Sequence, residues 1–387
     1  MAFGINKLQK VSVAQESTFG ASLSSGDYSG GVLVRPLEAV DLSQFVREVI
    51  ADSAIRRDFS DSGLPAAAGL AKGKVTLKVR LAGATRTGGV ITTDGLSSLL
   101  DWAIGDRRAP ANEVTDSGST VSVIQCEGHP YQVGDIVKIG TECRRVSAIA
   151  TNEFTVSPPL SSAPASGAAI VGCESFTAAS GTAQPSLGLG IELTGDSEVV
   201  FRAAGCAATG LTLGEIAPGT QLALTLEMSI SDYARASVTH ATAETPNAPV
   251  VASVSAVSWA QTDSAGALFA PVLASATAGL GVNNMLVAGM ASNAIGGNVG
   301  VVPDIVDGEV GKVKILHSPS DGTFAKADGL IGSSFSAVLQ VGTAEGGIIG
   351  IAYPECSFTQ FPTVSDASGV KALEYGFKAA AGVLFRG

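Results

Sequence analysis

The side chains best able to do chemistry are few in this sequence and lie far apart. Cys126 and His129 have a C-x-x-H spacing, and Cys143 and Cys173 follow in the same stretch of chain. Three cysteines and one histidine are a known zinc ligand set. The later pair lacks the close spacing that marks a zinc site, so we favour a surface histidine beside buried cysteines.

Phosphate-binding loops and acid–base pairs are not indicated either. The glycine-rich stretches 188–190 and 296–300 complete neither a dinucleotide fingerprint nor a P-loop, and we interpret them as turns or bulges. No G-x-S-x-G elbow occurs. Of the two tryptophans, Trp102 is predicted to lie in the core. Several carboxylates are interpreted as helix caps and turn residues: Asp94, Asp101, Asp106, Asp304 and Asp307. We therefore predict no catalytic, cofactor-binding or metal-binding residues and no enzyme activity.

Two arginine pairs, Arg56-Arg57 and Arg107-Arg108, are the most basic spots in the chain. Acidic residues accompany both: Asp58, Asp61, Asp101 and Asp106. We interpret both pairs as solvated, salt-bridged surface, and the alternative is a charge pair between subunits. The net charge of −11 argues against a grip on nucleic acid, because phosphate binding needs clustered lysine and arginine.

The composition points to large subunit interfaces or to a membrane. Charged residues make up 15% of the 387 residues, against about 25% in ordinary soluble domains. A membrane span is not predicted, because a long run without charged residues, 265–300, is broken throughout by Gly, Ser, Asn and Pro. The start lacks the pattern of a secretory signal, and the five widely spaced cysteines are predicted to be reduced and mostly buried.

Alternating apolar residues predict the strands that must carry these side chains. The pattern is clear in 74–81, 221–230, 334–341 and 371–379, each with one apolar face. Asp94 is predicted to cap a helix with apolar positions at Leu96, Leu99, Leu100, Ala103 and Ile104, with Arg107 and Arg108 at its C-terminal end. Residues 42–50 fit an amphipathic helix or a strand.

One stretch, 117–173, has the pattern of a separate small β module. Short strand patterns are divided there by Gly-Asp, Thr-Asn and Pro-Pro breaks, with linker-like flanks at 109–112 and 163–167. We expect an insertion that decorates an outer surface. A long connection is predicted at 236–250.

The order of these segments resembles the phage tail tube protein family of long-tailed bacteriophages. The similar segments are 10–20 with its Glu-x-Thr-aromatic-Gly turn, 40–59, 73–75, 96–105, 206–230, 339–347 and 375–379. They span most of the chain outside the insertion, which departs from the family pattern and puts the partner of that module in doubt.

The resemblance implies a mainly β, tail-tube-like antiparallel sandwich or barrel with a flanking short helix and the inserted β module. The expected organisation is an N-terminal arm at 1–31, a tube domain at 32–116 and 174–387, and the insertion at 117–173. The resemblance implies hexameric rings that stack into a hollow tube in the tail of the virion, assembled in the host cytoplasm. Expected partners are further copies of the chain, the tape-measure protein, the tail terminator and baseplate or tip proteins, with no cofactor.

Genome DNA would pass through the lumen without specific binding, and an acidic lining would help by repelling phosphates. Two alternatives stay open. One is a ring or tube component of a related secretion or baseplate apparatus. The other is a β-sandwich binding or adhesin module that recognises its target through 117–173.

Overall fold

The computed structural model describes most of the chain. The described residues are 9–21, 24–38, 40, 46–50, 67–178, 185–193, 200–217, 219–245, 257–281, 283–289, 298–302, 304, 308–318, 320, 322–367, 369–380 and 382–387. Arg56, Arg57 and Asp307 lie outside them, as do residues 42–45 of the 42–50 segment.

Strands dominate the described part of the chain. In chain order the elements are β1 Gln9–Gln15, a 3-10 helix Asp27–Gly30, β2 Val32–Val34, β3 Val46–Ile50, β4 Ala67–Arg80, β5 Arg86–Thr87, β6 Val90–Ile91, α1 Gly95–Ile104, β7 Arg107–Arg108, β8 Glu113–Val114, β9 Val123–Gln125, β10 Ile136–Ile139, β11 Glu142–Ala150, β12 Glu153–Ser157, β13 Ala169–Gly172, β14 Glu174–Phe176, β15 Leu187–Leu193, β16 Val200–Ile216, β17 Ala223–Ile230, β18 Asp232–Arg235, β19 Val257–Thr262, β20 Leu268–Phe269, β21 Leu273–Gly279, β22 Met285–Ala288, β23 Asn298–Val302, β24 Gly311–Leu316, α2 Thr323–Asp328, β25 Phe335–Val341, β26 Ile349–Phe358, β27 Thr363–Ala367, β28 Val370–Ala379 and β29 Val383–Arg386. The predicted mainly β, antiparallel fold with a short helix is confirmed.

Nineteen of these strands form one large sheet with antiparallel pairing between its neighbours. The long strand β16 joins its parts: its first half pairs with β15 and β18, and its second half with β17 and β21. From β17 the sheet continues to β4 and β3. From β21 it continues through β24 to β28, which pairs with both β26 and β27. β1, inside the stretch predicted as an arm, hydrogen-bonds with β2 and β15.

The four alternating segments are confirmed as strands β4, β17, β25 and β28, and their predicted apolar faces are buried. The reason is the two-residue period of a strand, which places every second side chain on the core side. These residues join β1, β15 and α1 in one continuous core.

β25 differs from the expectation of one apolar face, because both of its faces are buried. Ser336, Val338 and Gln340, on the second face, are no more than 8% exposed. The β10–β13 region packs against this face, where Val338 clusters with Ile136 and Cys143. The strand therefore lies between two layers.

α1 begins as predicted, with Asp94 as its N-cap. The Ser97 N–H donates to Asp94 Oδ1 over 2.7 Å, and the Ser97 side chain reaches back to the Asp94 N–H, which makes a capping box. The helix ends before Gly105, whose φ of 123° favours glycine. Val46–Ile50, where helix and strand were both open, is a strand paired with β4.

A second sheet, of six strands, runs from Glu113 to Gly172 in the order β8-β13-β10-β11-β12-β9. It has its own core around Tyr131, Val137 and Phe154. Within the described residues, no helix has the length and apolarity needed to cross a membrane.

Candidate functional site on the open face of the large sheet

One side of the large sheet stays open across six neighbouring strands. β4, β17, β16, β21, β24 and β28 hydrogen-bond in that order. Their inward side chains form the core, which leaves the alternate residues outward. We call this outward surface the open face; its exposed members are Lys74, Thr76, Thr212, Glu227, Thr277 and Lys312.

Cross-strand register joins these side chains into rows. Thr225 lies opposite Lys78 on one side and opposite Thr212 on the other. Thr277 lies opposite Lys312 in the same way. Hydroxyl and charged groups spread over several strands suit contact with water or with a large polar partner, whereas a small ligand needs an enclosed pocket.

The charges of the open face are mixed. Lys78 Nζ lies 2.7 Å from Glu38 Oε1, and Lys312 Nζ lies 3.4 Å from Glu309 Oε1. Exposed pairs of this kind contribute only about 0–1 kcal/mol each. Their effect here is electrostatic, since they offset Lys78 and Lys312 locally, while Lys74 and Glu227 add charges of both signs to the face.

A buried carboxylate, Glu16, organises the turn after β1. Glu16 Oε2 accepts from the Gly20 N–H over 2.8 Å and from the Ser186 hydroxyl over 2.5 Å. The Gly205 N–H donates to Oε1 over 3.1 Å. Burial raises the pKa of Glu16, and the hydrogen bonds from Ser186, Gly205 and Gly20 partly oppose that rise. The sequence marks Glu16 only as part of the opening segment, because its partners come from distant strands.

A cleft of about 780 Å³ opens beside this turn. Its walls are residues 15–19, Pro185 and Ser186, and Val299–Val301 of β23. The Glu16 carboxylate already accepts hydrogen bonds from three neighbours, so it holds two strands together and is poorly placed for proton transfer.

Arg107 and Arg108 correct the sequence expectation. They lie beyond the helix, in β7, and their partners are buried. Arg107 Nε is 2.5 Å from Glu174 Oε1, and Arg108 Nε is 2.5 Å from Asp135 Oδ1, with both carboxylates 0% exposed. Both arginines are salt-bridged as predicted, and their side chains are 21% and 36% exposed, but their partners are the buried Glu174 and Asp135 instead of the neighbouring Asp101 and Asp106. Both ion pairs are also within the chain.

The Glu174 carboxylate also binds Arg386 near the end of the chain, which is 1% exposed. Arg386 Nη2 lies 2.8 Å from Asp94 Oδ1 and donates over 2.8 Å to Ser97 Oγ. The capping box of α1 is thus part of a buried ionic network that joins α1, β7, β14 and β29. Such a network fixes the positions of its elements.

The cysteine and histidine candidates lie in separate places. Cys126 belongs to the core of the six-stranded sheet, whereas Cys143 and Cys173 lie where that sheet meets β25 and β26. His129 Nε2 lies 3.1 Å from the carbonyl oxygens of both Ala150 and Glu153. In the described part of the chain no three His, Cys, Asp or Glu side chains are grouped to hold a metal. All five cysteines are free and buried, which confirms their predicted burial.

One arrangement has the outline of a nucleophilic triad. His240 Nδ1 is 2.9 Å from Ser12 Oγ, and His240 Nε2 is 2.9 Å from Glu192 Oε2. Burial lowers the pKa of His240, which Glu192 opposes. Ser12 is 0% exposed, and its Oγ also accepts from the Ala241 N–H over 3.2 Å. The hydroxyl has no access to a substrate, so the trio attaches the connection after β18 to β1.

The remaining candidates have structural positions. Asp94 is the N-cap of α1, and Trp102 is partly buried against the core. The prediction of a turn or bulge is wrong for 188–190, which lie inside β15, where Gly188 pairs in regular register with Ala14 of β1. The register of β15 against β16 does shift between Leu187 and Leu189, but the extra residue is on β16. Gly190 is close-packed, since a Cβ there would lie 2.6 Å from Val238.

Comparison with known proteins assigns no family to the chain. No family model matches the sequence, and no curated protein matches it. The functional conclusion therefore depends on the geometry of the molecule itself.

Proposed function

We propose that this protein is a structural subunit of a phage tail tube, which forms hexameric rings that stack into a hollow conduit for DNA and the tape-measure protein. The observation that carries the proposal is the open face of the large sheet. Six antiparallel strands keep one side packed and leave the other uncovered, with small hydroxyl residues and ion-paired lysines upon it. A channel wall needs a broad, hydrated surface of this kind.

The open face would line the lumen. Because this face carries both lysines and carboxylates, we propose a lumen lining of mixed charge in place of the acidic lining expected from the sequence. Lysines held by Glu38 and Glu309 offer phosphates little net attraction, and DNA would slide past them. The six-stranded module at 113–172 would face outward. It packs against the face of β25 that points away from the main core, whereas the open face belongs to other strands of that sheet.

Negative-stain electron microscopy of the purified chain tests the proposal directly. We expect six-fold rings or long hollow tubes as the protein concentration rises. A monodisperse monomer at high concentration would overturn the proposal. Rings that never elongate would favour a related secretion or baseplate component instead.

Cysteine labelling tests which surface lines the channel. The native cysteines are all buried, so a cysteine introduced at an exposed site dominates the labelling. We expect Thr212→Cys to react with a bulky maleimide–polyethylene glycol in the dissociated subunit and to be protected in the assembled tube. The control Ser117→Cys, on the exposed surface of the module, should react in both states. Equal labelling of Thr212→Cys in both states would contradict the lumen assignment.

A further inference from the structure

The longest uncharged stretch of the chain carries a hairpin that lacks a partner sheet. Residues 264–303, between Asp263 and Asp304, contain no Asp, Glu, Lys, Arg or His. Within them β22 and β23 pair only with each other among the described strands. An isolated two-stranded hairpin is marginally stable in water, so it gains stability from a further contact.

Both faces of this hairpin are apolar. Val301 is 3% exposed and lies in the wall of the cleft beside the Glu16 turn. Met285 and Val302 are directly opposite each other on adjacent strands, and they are 48% and 46% exposed. We call this pair and its strands the hairpin patch. It presents apolar area and, among the described residues, no charge.

A second apolar surface lies at the β27 edge of the large sheet. β27 pairs only with β28 among the described strands, so its other side is an edge of the sheet. The side chains around it are Phe361, Val364 and Val370, exposed by 71%, 60% and 47%. We call these residues and β27 the edge patch.

The two patches lie at different strands of the large sheet. β27 is followed by β28, β24, β21 and β16 in the sheet, and the hairpin is attached at the far strand, where the Asn284 N–H donates to the Ala208 carbonyl over 3.1 Å. Four strand spacings of about 4.8 Å place β27 roughly 19 Å from β16 when measured along the sheet. Within the described part of the chain, the exposed side chains of each patch are therefore open to contact with another molecule.

We propose that the hairpin patch of one copy docks on the edge patch of the next. Two different patches on one chain give a heterologous contact, which closes into a ring when the rotation between copies allows it. The hairpin patch brings no charge to the contact, and the one charged side chain of β27, Asp366, is already paired with Lys371 over 3.0 Å, so the contact buries no unpaired charge. The inference builds on the proposed self-assembly and names the surfaces that perform it.

Single substitutions on each patch test the contact. We expect Met285→Glu and Val364→Glu each to abolish rings and to sediment as monomers, because either change buries a carboxylate in an apolar contact. Val302→Glu and Phe361→Ser are second variants on the same patches. Val133→Glu, at an exposed valine of the module, is the matched control and should assemble like the wild type. Thermal melts establish that each variant is folded.

Mixing the variants distinguishes a heterologous contact from a symmetric one. Met285→Glu keeps an intact edge patch and Val364→Glu keeps an intact hairpin patch, so an equimolar mixture should form a dimer that neither variant forms alone. Monomers in the mixture, with both variants folded, would overturn the inference. If all four patch variants formed rings like those of the wild type, the docking inference would be overturned and the tube proposal would remain intact. A wild-type chain that never assembles would overturn both.

Discussion

Buried charges in this protein are stabilised by reciprocal pairing between distant segments. Glu174 is 0% exposed and lies between Arg107 and Arg386, and Arg386 continues to the capping residue Asp94. A charge removed from water is tolerable only when its partners remain in place, so each member of this network depends on the others.

Glu174→Ala should destabilise the fold by about 3–5 kcal/mol, because it leaves the buried Arg386 without its main carboxylate. Urea unfolding measures the free energy of unfolding. The matched control is Glu38→Ala, which removes the exposed partner of Lys78 and should cost about 0–1 kcal/mol. Equal losses in the two variants would contradict a special role for the buried network.

Glu16 gives a pH dependence of definite sign. Burial raises its pKa above the ordinary value of 4.5, so the folded state binds this proton more tightly than the unfolded state. The Glu16 contribution to the free energy of unfolding is therefore full below about pH 4.5 and declines as the pH rises through the folded-state pKa. We expect Glu16→Gln to remove this decline, as measured by urea unfolding at several pH values from about 4 to about 7. A wild-type minus variant difference that grows with pH would contradict the sign.

At the scale of elements, local patterns predict what a single strand or helix does by itself. The alternation in β4, β17 and β28 and the Asp94 cap of α1 depend on neighbours in sequence, and the structure confirms them. The second buried face of β25 could not be predicted, because it exists only where the six-stranded sheet packs on it. The Gln340 amide shows this: its Oε1 accepts from the Cys143 N–H over 2.8 Å.

Long-range pairing also explains the candidate sites that sequence reasoning missed. Glu16 meets Ser186 and Gly205 only after β15 and β16 align beside β1. Arg107 was assigned to a helix end from its neighbours in sequence, yet its partner Glu174 is brought close by β14. Because the partners are far apart in sequence, contacts of this kind produce no regular residue spacing from which they could be predicted.

The packing between β25, β26 and β29 gives a test at this scale. A Cβ at Gly350 would lie 2.1 Å from the Leu339 carbonyl oxygen and 2.4 Å from the Phe385 ring. We expect Gly350→Ala to cost about 1–3 kcal/mol or more in the free energy of unfolding, through displacement of these neighbours. The control Gly214→Ala meets only the Ala223 carbonyl oxygen, at 3.6 Å, and should stay within about 0.5 kcal/mol. Similar melting temperatures for both variants would contradict the close packing.

For the whole molecule, the distribution of charge is more informative than its total. The open face holds ion-paired lysines, the interior holds a closed ionic network, and residues 264–303 hold no charge. Part of the low overall charge thus lies in one segment, which also carries the hairpin patch. A hairpin without charge and with exposed apolar side chains favours assembly through apolar contacts.

Salt should therefore affect assembly in a characteristic way. Contacts between charged patches weaken as ionic strength rises, because the Debye length falls to about 3 Å at 1 M salt. Contacts between apolar patches resist sodium chloride and strengthen in sulfate, which is excluded from protein surfaces. We expect the ring fraction in sedimentation velocity to be unchanged between about 0.1 and about 1 M sodium chloride and to rise with ammonium sulfate. The Val133→Glu control should follow the wild type. Dissociation by sodium chloride alone would show that charge pairs drive assembly and would contradict docking through the hairpin and edge patches.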